Sequence, residues 1–322
     1  MTENFVLFSI IAVYSAMAIY TIAFILFTLD LSRRSANVGA RAEVGATIRV
    51  DQLVSVGSTD LLERVDGSAA APAAKGPRYL RAAFALTVFG WALHVGAVFF
   101  RGFAAGRVPW ANMFEFTLTA TAIIVGVFLV VQIWQDLRFI GAFVSGFVLI
   151  ALGVATVNFY VDVVPLPPSL QSAWLVIHVF VASLGTGFFA LGAALSVMQL
   201  LQARREAGRP SPRFLATLPS AERLENMAYR MIVVGFVFWT FTLIAGAIWA
   251  QRAWGRYWGW DTKEVWTFII WTLFAGYIHA RATRGWRGTR SAWLAIIGFS
   301  AVVFNYTIVN LFFKGLHSYS GL

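Results

Sequence analysis

The sequence predicts an all-α polytopic membrane protein with about eight transmembrane helices. The chain has 322 residues, of which 59% are hydrophobic and only 12% are charged. A soluble domain carries roughly a quarter charged residues, so this composition indicates that lipid surrounds much of the chain. The composition excludes a disordered protein and an ordinary soluble enzyme. The absence of cysteine excludes disulfides, thiolate metal sites and cysteine nucleophiles.

Eight apolar stretches approach or exceed the roughly 20 residues that a membrane-spanning helix needs. The first lacks a basic n-region and is too long to be a cleavable signal peptide. Residues 30–79, after the first stretch, mix Gly, Ala, Ser and Pro with a short apolar pattern, which favours a cytoplasmic linker with one small helix. The predicted domains are therefore a first transmembrane helix at 1–29, the linker at 30–79 and a seven-helix domain at 80–322. The predicted spans are 4–29, 80–100, 113–134, 139–160, 171–202, 228–250, 264–281 and 291–313.

The formal charge of +10 follows from the predicted topology. Nineteen of the 25 Lys and Arg residues lie in, or beside, the loops that share one side with the linker. The positive-inside rule places that side in the cytoplasm, so both termini are predicted outside. Since topology accounts for the charge, we expect no nucleic-acid partner. The six basic residues of the outer side are Arg101, Arg107, Arg252, Arg256, Lys263 and Lys314.

The outer side carries a concentrated aromatic segment, which we call the tryptophan loop (residues 249–266). Six of the 13 tryptophans lie within residues 249–271. Tryptophan is enriched at membrane interfaces, but an aromatic belt spreads over many helix ends, whereas these residues occupy one loop and the helix ends that it joins. Indole faces beside basic side chains suit a large planar ligand that carries negative charge. Asp261 and Glu264 stand where carboxylates cap the start of a helix.

Four histidines complete the candidate site. His178 lies roughly 10 Å below the predicted outer surface in the fifth span, and His317 follows the last span on the same side. Neutral imidazole is a good axial ligand of haem iron, so these two histidines beside the tryptophan loop favour a ligand role. His279 lies near the cytoplasmic end of the seventh span. His94 is predicted to be a hydrogen-bonded core residue.

His94 and His279 cannot form an internal axial pair. At 1.5 Å per residue, His94 lies roughly 20 Å and His279 roughly 3 Å from the cytoplasmic boundary. Two axial nitrogens are separated by only ~4 Å, given metal–imidazole distances of about 2 Å. If His279 binds a buried haem, the opposite ligand is therefore expected from another chain.

Two motifs resemble the CcsA family, also called ResC, which is the haem-handling subunit of the system II cytochrome c synthase. The first is Trp254-Gly255-x-x-Trp258-x-Trp260-Asp261-x-Lys263-Glu264, which resembles the family's "WWD" signature. The second is Gly106-x-x-Pro109-x-x-Asn112-x-x-Glu115. The resemblance runs from about residue 80 to the C-terminus. Thr262 departs from it, because the family usually has proline there.

The resemblance implies a function in cytochrome c biogenesis with haem b as the bound substrate. By position, His178 and His317 are similar to the family's two external haem ligands, and His279 is similar to its intramembrane ligand. Trp254, Trp258, Trp260 and Asp261 belong to the signature itself. The resemblance further implies a CcsB/ResB-like membrane partner, which supplies a second intramembrane histidine, and an apocytochrome c as acceptor. The expected location is the bacterial plasma membrane, with the tryptophan loop outside.

In this reading, the chain exports haem and presents it for thioether attachment to a Cys-x-x-Cys-His segment, as a subunit of a holocytochrome c synthase. We expect Arg101 or Arg256 to meet the haem propionates, and the tryptophans to contact the porphyrin. Three alternatives compete with this reading: a transporter with an aromatic external gate, a di-haem electron carrier and a purely structural subunit. The transporter predicts polar residues in broken helices near mid-membrane, and few occur. The electron carrier requires two histidine pairs at matched depths, and only the outer pair qualifies.

Overall fold

The computed structural model describes residues 2–54, 78–166, 170–283 and 285–317, and it confirms the predicted all-α polytopic fold. The eight long helices are α1 (Thr2–Val54), α2 (Arg78–Ala105), α3 (Met113–Val131), α4 (Gly141–Asn158), α5 (Ala173–Glu206), α6 (Ala221–Trp254), α7 (Thr262–Thr283) and α8 (Thr289–Phe304). Beyond Phe304, α8 continues as a π-helical turn (Asn305–Val309) and a final short turn (Asn310–Phe312).

Among the described residues, seven helices are long and apolar enough to cross a membrane. The eighth, α7, has 22 residues, which gives a length of about 33 Å at 1.5 Å per residue. That length matches the hydrocarbon core of a bilayer, although α7 is not among the seven helices that are apolar enough by composition. The chain is therefore an integral membrane protein with about eight spans. Alternation of the spans puts the start of α1, the tryptophan loop and the end of α8 on one side.

The third helix forms the centre of the bundle. Of its most apolar 18-residue window, 72% is buried, the largest share of any candidate span among the described residues. Phe114 and Leu118 join a cluster with α1, α2 and α4, whereas Phe128 and Val131 join a second cluster with α4, α5 and α6. A third cluster binds α5 and α6 to α7 and α8. The α3 helix therefore connects the N-terminal helix pair to the part of the bundle that carries the histidines.

The first helix is longer than the predicted span. It continues to Val54, so the predicted linker begins as an extension of α1. No proline occurs before Pro72, and Asp30 pairs with Arg34 one turn later at 2.7 Å, which favours continuation of the helix. Residues 55–77 of the linker lie outside the described part of the chain. The linker's assignment as a separate cytoplasmic segment stays a prediction.

A buried ion pair joins α6, α7 and α8 at the end of the bundle opposite the tryptophan loop. Glu225 accepts hydrogen bonds from Arg281 at 3.1 Å, from the hydroxyl of Ser291 at 3.1 Å and from the backbone N–H of Gly288 at 2.9 Å. Both charged side chains are 7% exposed. Arg281 also donates to the side chain of Asn226 at 2.7 Å. The carboxylate thus holds the start of α8 against α6 and α7.

Substitution Glu225→Ala should leave the Arg281 guanidinium buried without its counter-charge and lower the free energy of unfolding by about 3–5 kcal/mol. The matched control is Asp136→Ala, which removes an ion pair with Arg138 whose side chains are 62% and 37% exposed and should cost at most about 1 kcal/mol. Thermal unfolding of the purified chain in detergent measures both. Equal shifts for the two variants would contradict a structural role for the inner pair.

Candidate functional site

The two outer histidines line one cavity between α3, α5, α6, α7 and α8. Its volume is about 210 Å³. The wall is mainly apolar and aromatic, with polar groups from the starts of α3 and α7 and from the π-helical turn of α8. Besides His178 and His317, the polar and aromatic lining includes Trp110, Trp239, Thr242, Trp249, Trp258, Lys263, Glu264, Asn305, Tyr306 and Asn310.

His178 is oriented by the backbone of the neighbouring helix. Its Nδ1 lies 3.0 Å from the carbonyl oxygen of Thr242, so Nδ1 carries the proton and donates. Nε2 is then the basic nitrogen, and the described residues give it no hydrogen bond. The ring stacks on Trp249 with 5.8 Å between centroids. Gly246 makes room for the ring, because a Cβ at that position would lie 2.8 Å from His178 Cε1.

His317 is oriented by a carboxylate. Its Nδ1 lies 2.7 Å from Asp261 Oδ2, so here too Nε2 is left as the free nitrogen within the described structure. A carboxylate behind the far nitrogen is the usual way in which a metal-binding histidine is held and made more basic. The hydrogen bond from His317 holds the pKa of Asp261 below its ordinary value of 3.8. The backbone N–H of Leu316 also donates to Asp261, at 3.1 Å.

Four of the five tryptophans of the tryptophan loop lie in three environments near the histidines, and the fifth, Trp266, packs against Phe304. Trp249 is 1% exposed, and the rings of Trp249 and Trp254 meet His317 edge-on at 5.3 and 4.7 Å. Trp258 lines the cavity. Trp260 is 77% exposed and has φ of +59°, a left-handed conformation that costs a non-glycine residue roughly 1–2 kcal/mol. Trp249 and Trp254 therefore pack against His317, whereas the indole of Trp260 is exposed.

Asp261 and Glu264 form the start of α7, as the sequence predicted for capping carboxylates. Asp261 precedes the first helical residue of α7. The backbone N–H groups of Asp261 and Gly259 donate to Glu264 Oε2 at 3.1 and 2.8 Å. This is the capping-box arrangement. Asp261 has a second role that the capping pattern did not predict, since it also holds His317.

The two arginines expected to meet a ligand lie elsewhere. Arg101 is 1% exposed and donates to Glu115 at 3.1 Å and to the carbonyl of Val161 at 2.7 Å; it does not line the cavity. That expectation was wrong because the guanidinium is buried within the bundle and paired with Glu115 and the carbonyl of Val161, away from the cavity. Arg256 lies over the backbone of Gly259, where its guanidinium occupies the space of a Cβ, and it is outside the cavity lining. A role for Arg256 in ligand binding stays a prediction.

The second motif builds the outer framework that supports the cavity. Gly106 ends the turn after α2 with φ of +63°, and Asn112 caps α3 by accepting the backbone N–H of Glu115 at 2.9 Å. Glu115, fully buried, also accepts from Arg107 at 2.6 Å. The motif thereby fixes the turn that carries Trp110 to the cavity wall.

The remaining two histidines differ sharply in their surroundings. His94 is completely buried, with Nε2 2.9 Å from the carbonyl of Leu118 and Nδ1 3.4 Å from the hydroxyl of Tyr20. It is the hydrogen-bonded core residue that the depth argument favoured. His279 is exposed on α7, and the described residues provide no hydrogen bond to its ring.

Sequence reasoning missed the polar wall formed by α7 and α8. Asn305 begins the π-helical turn of α8, a feature that often marks functional sites. Its Oδ1 and Glu264 Oε1 are buried without hydrogen-bond partners among the described residues, and both residues line the cavity. The Lys263 ammonium donates to the side chain of Asn310. The asparagines stand at no recognisable spacing, so only the fold brings them to the histidines.

The chain is similar in sequence to proteins of cytochrome c assembly. Residues 110–317 match the family described as Cytochrome C assembly protein. A "Cytochrome c biogenesis protein CcsA" from Guillardia theta is 36% identical over 240 residues, covering 69% of this chain and 80% of the relative. The protein of the same name from Synechococcus elongatus is 34% identical over 266 residues, covering 68% of this chain and 81% of the relative.

The solved structure of a "Cytochrome c Heme Lyase CcmF" has a similar fold, with a TM-score of 0.61 and 18% sequence identity. The match covers 94% of this chain but only 46% of that structure, so this chain spans about half of its length. The matched family region contains the tryptophan loop, both outer histidines and His279. The chain therefore belongs to the Cytochrome C assembly protein family.

Proposed function

We propose that this chain binds haem b in the outer cavity, with His178 and His317 as axial ligands, and presents it to an apocytochrome c. Family membership assigns the chain to cytochrome c biogenesis, and that pathway handles haem and apocytochrome.

The proposal rests on the similar hydrogen bonding of the His178 and His317 rings. Each histidine has Nδ1 engaged, one by the carbonyl of Thr242 and one by Asp261, so each offers Nε2 as a neutral donor. Both rings contact the same buried indole, Trp249, and both line the same cavity. A pair of neutral imidazoles held in this way suits low-spin haem iron.

The protein's part in the reaction is positioning. The thiols of a Cys-x-x-Cys-His segment add across the haem vinyl groups: each sulfur bonds to the vinyl carbon next to the ring, and the thiol hydrogen passes to the terminal carbon. Haem and acceptor supply the reacting groups. The chain's histidines and tryptophans hold the macrocycle in place, and the acceptor's histidine then replaces one external ligand. A chain without cysteine offers no competing thiol.

The exposed face of α7 supports a companion subunit, for which we propose a CcsB/ResB-like membrane protein. Phe268, Thr272, Gly276, His279 and Thr283 are exposed and lie on one face. Polar and small side chains on a membrane helix favour contact with another protein helix over lipid. An ionisable residue inside the membrane indicates a functional site. We place the first haem site at His279, shared with the companion.

The assembled complex would act as a holocytochrome c synthase in a bacterial plasma membrane or a membrane of that descent, with the tryptophan loop on the outer side. The distribution of basic residues supports this orientation. Trp260, held outward in a left-handed conformation, is available to contact the arriving apocytochrome. The alternative function is a transporter with an aromatic external gate, which would not require haem ligation by His178 and His317.

Variants His178→Ala and His317→Ala should each abolish cytochrome c assembly in cells, because a single imidazole holds haem iron weakly. Added imidazole should restore assembly in part by occupying the vacated coordination position. The yield of covalently attached haem in a reporter cytochrome c measures both effects. Retained assembly in both variants without added imidazole would refute the ligand assignment.

Substitution Gly246→Ala tests the orientation of His178 without removing a ligand. The new Cβ would lie 2.8 Å from His178 Cε1, so the ring must turn, and haem affinity should fall at least roughly tenfold, as it does when metal ligands lose their support. Gly96→Ala is the matched control, since that helical glycine has open space around it. Visible titration with haemin measures both. Unchanged affinity in Gly246→Ala would contradict the assigned geometry.

Substitution His279→Ala should lower the haem that co-purifies with the complex of chain and companion, because one ligand of the shared inner site is lost. The spectrum from the external pair should persist when haem is added afterwards. A pyridine haemochrome assay of the purified complex gives the amount. The same haem content in wild type and variant would exclude the inner-site role.

A further inference from the structure

The wall that faces the histidines from α7 and α8 contains one cation among the lining residues that the structure describes, Lys263. Its ammonium donates one hydrogen bond to the side-chain oxygen of Asn310. An ammonium has three donors and no acceptor, so two of its N–H groups remain for a ligand in the cavity.

The ammonium of Lys263 has no carboxylate within ion-pair distance in the described part of the chain. The neighbouring Asp261 carboxylate is bound by His317 and by backbone N–H groups. Glu264 Oε2 is bound by the N–H groups of the tryptophan loop. A cation at an apolar wall without a counter-charge is costly, and a bound anion would offset that cost.

We propose that Lys263 binds a carboxylate of the ligand in the outer cavity, and that this contact sets which edge of the porphyrin faces the α7–α8 wall. The inference rests on the proposed function, which makes that ligand haem. Haem carries its two propionates on one half of the macrocycle and its two vinyl groups on the other. Binding of a propionate by Lys263 turns the vinyl half away from this wall.

The remaining polar groups of the wall are consistent with a carboxylate-binding edge that includes ordered water. Asn305 Oδ1 and Glu264 Oε1 are buried and lack partners in the described structure. Both accept hydrogen bonds, so they suit water molecules that in turn donate to a carboxylate. The charge of Glu264 opposes a carboxylate at its own position, which leaves the Lys263–Asn310 side as the place for the propionate.

The cavity volume of about 210 Å³ lies below the roughly 300–1,000 Å³ of a typical small-molecule pocket. A porphyrin in this cavity is therefore only partly enclosed, and one part of its edge stays accessible. A propionate bound by Lys263 determines which part of the porphyrin edge stays accessible. Lys263 is therefore a positioning residue for the attachment of haem to the apocytochrome.

The test compares haemin with haemin dimethyl ester, in which both propionates are neutral, by visible titration of the purified full-length chain. Wild type should bind haemin at least roughly tenfold more tightly than the ester, as expected for a charge-assisted hydrogen bond. Lys263→Met should bring that ratio close to one, and Lys263→Arg should restore most of it. Lys314→Met, which removes an exposed lysine outside the cavity lining, should leave the ratio unchanged.

A wild-type ratio retained in Lys263→Met, or a ratio lost in Lys314→Met instead, would overturn the assignment of Lys263. If wild type binds haemin and ester equally, with a spectrum that depends on His178 and His317, this inference fails while the proposed function stands. If wild type binds neither compound, the inference fails together with the proposed function.

Discussion

The hydrogen bond between Asp261 and His317 is the contact on which the outer site depends. It ties the segment after α8 to the tryptophan loop and selects the imidazole nitrogen that faces the cavity. The same aspartate stands at the start of α7, whose capping is completed by Glu264. One residue therefore contributes to the helix start, the loop and the orientation of the His317 ring.

His178 is oriented differently, by a hydrogen bond to the carbonyl of Thr242 in α6. A carbonyl supports the neutral imidazole without adding charge, whereas Asp261 places a carboxylate behind the ring of His317. The two positions are thus chemically unequal. Under the proposed function, an apocytochrome histidine would replace one of them, and this asymmetry would favour release of haem from one of the two ligands.

The sequence predicted the spans, the tryptophan loop and the outer pair of histidines, because hydropathy and aromatic clustering are local signals. It also separated His94 from His279 by counting depth along the helices. It failed for Arg101, whose partner Glu115 lies 14 residues away and whose burial appears only after α2, α3 and the turn between them have packed. Asn305 was missed for the same reason, because the cavity wall that it shares with Lys263 is made by α7 and α8 together. The sequence placed Lys263 beside the indoles but did not assign it to that wall.

Bis-histidine ligation at the outer face is the central claim, and electron paramagnetic resonance of the ferric haem-loaded chain tests it most directly. The measurement should use the His279→Ala background, so that haem at the inner site does not contribute. The account predicts a low-spin signal typical of two imidazole ligands, converted to a high-spin signal by a further His317→Ala substitution. A high-spin signal before that substitution, or a low-spin signal that survives it, would contradict the account.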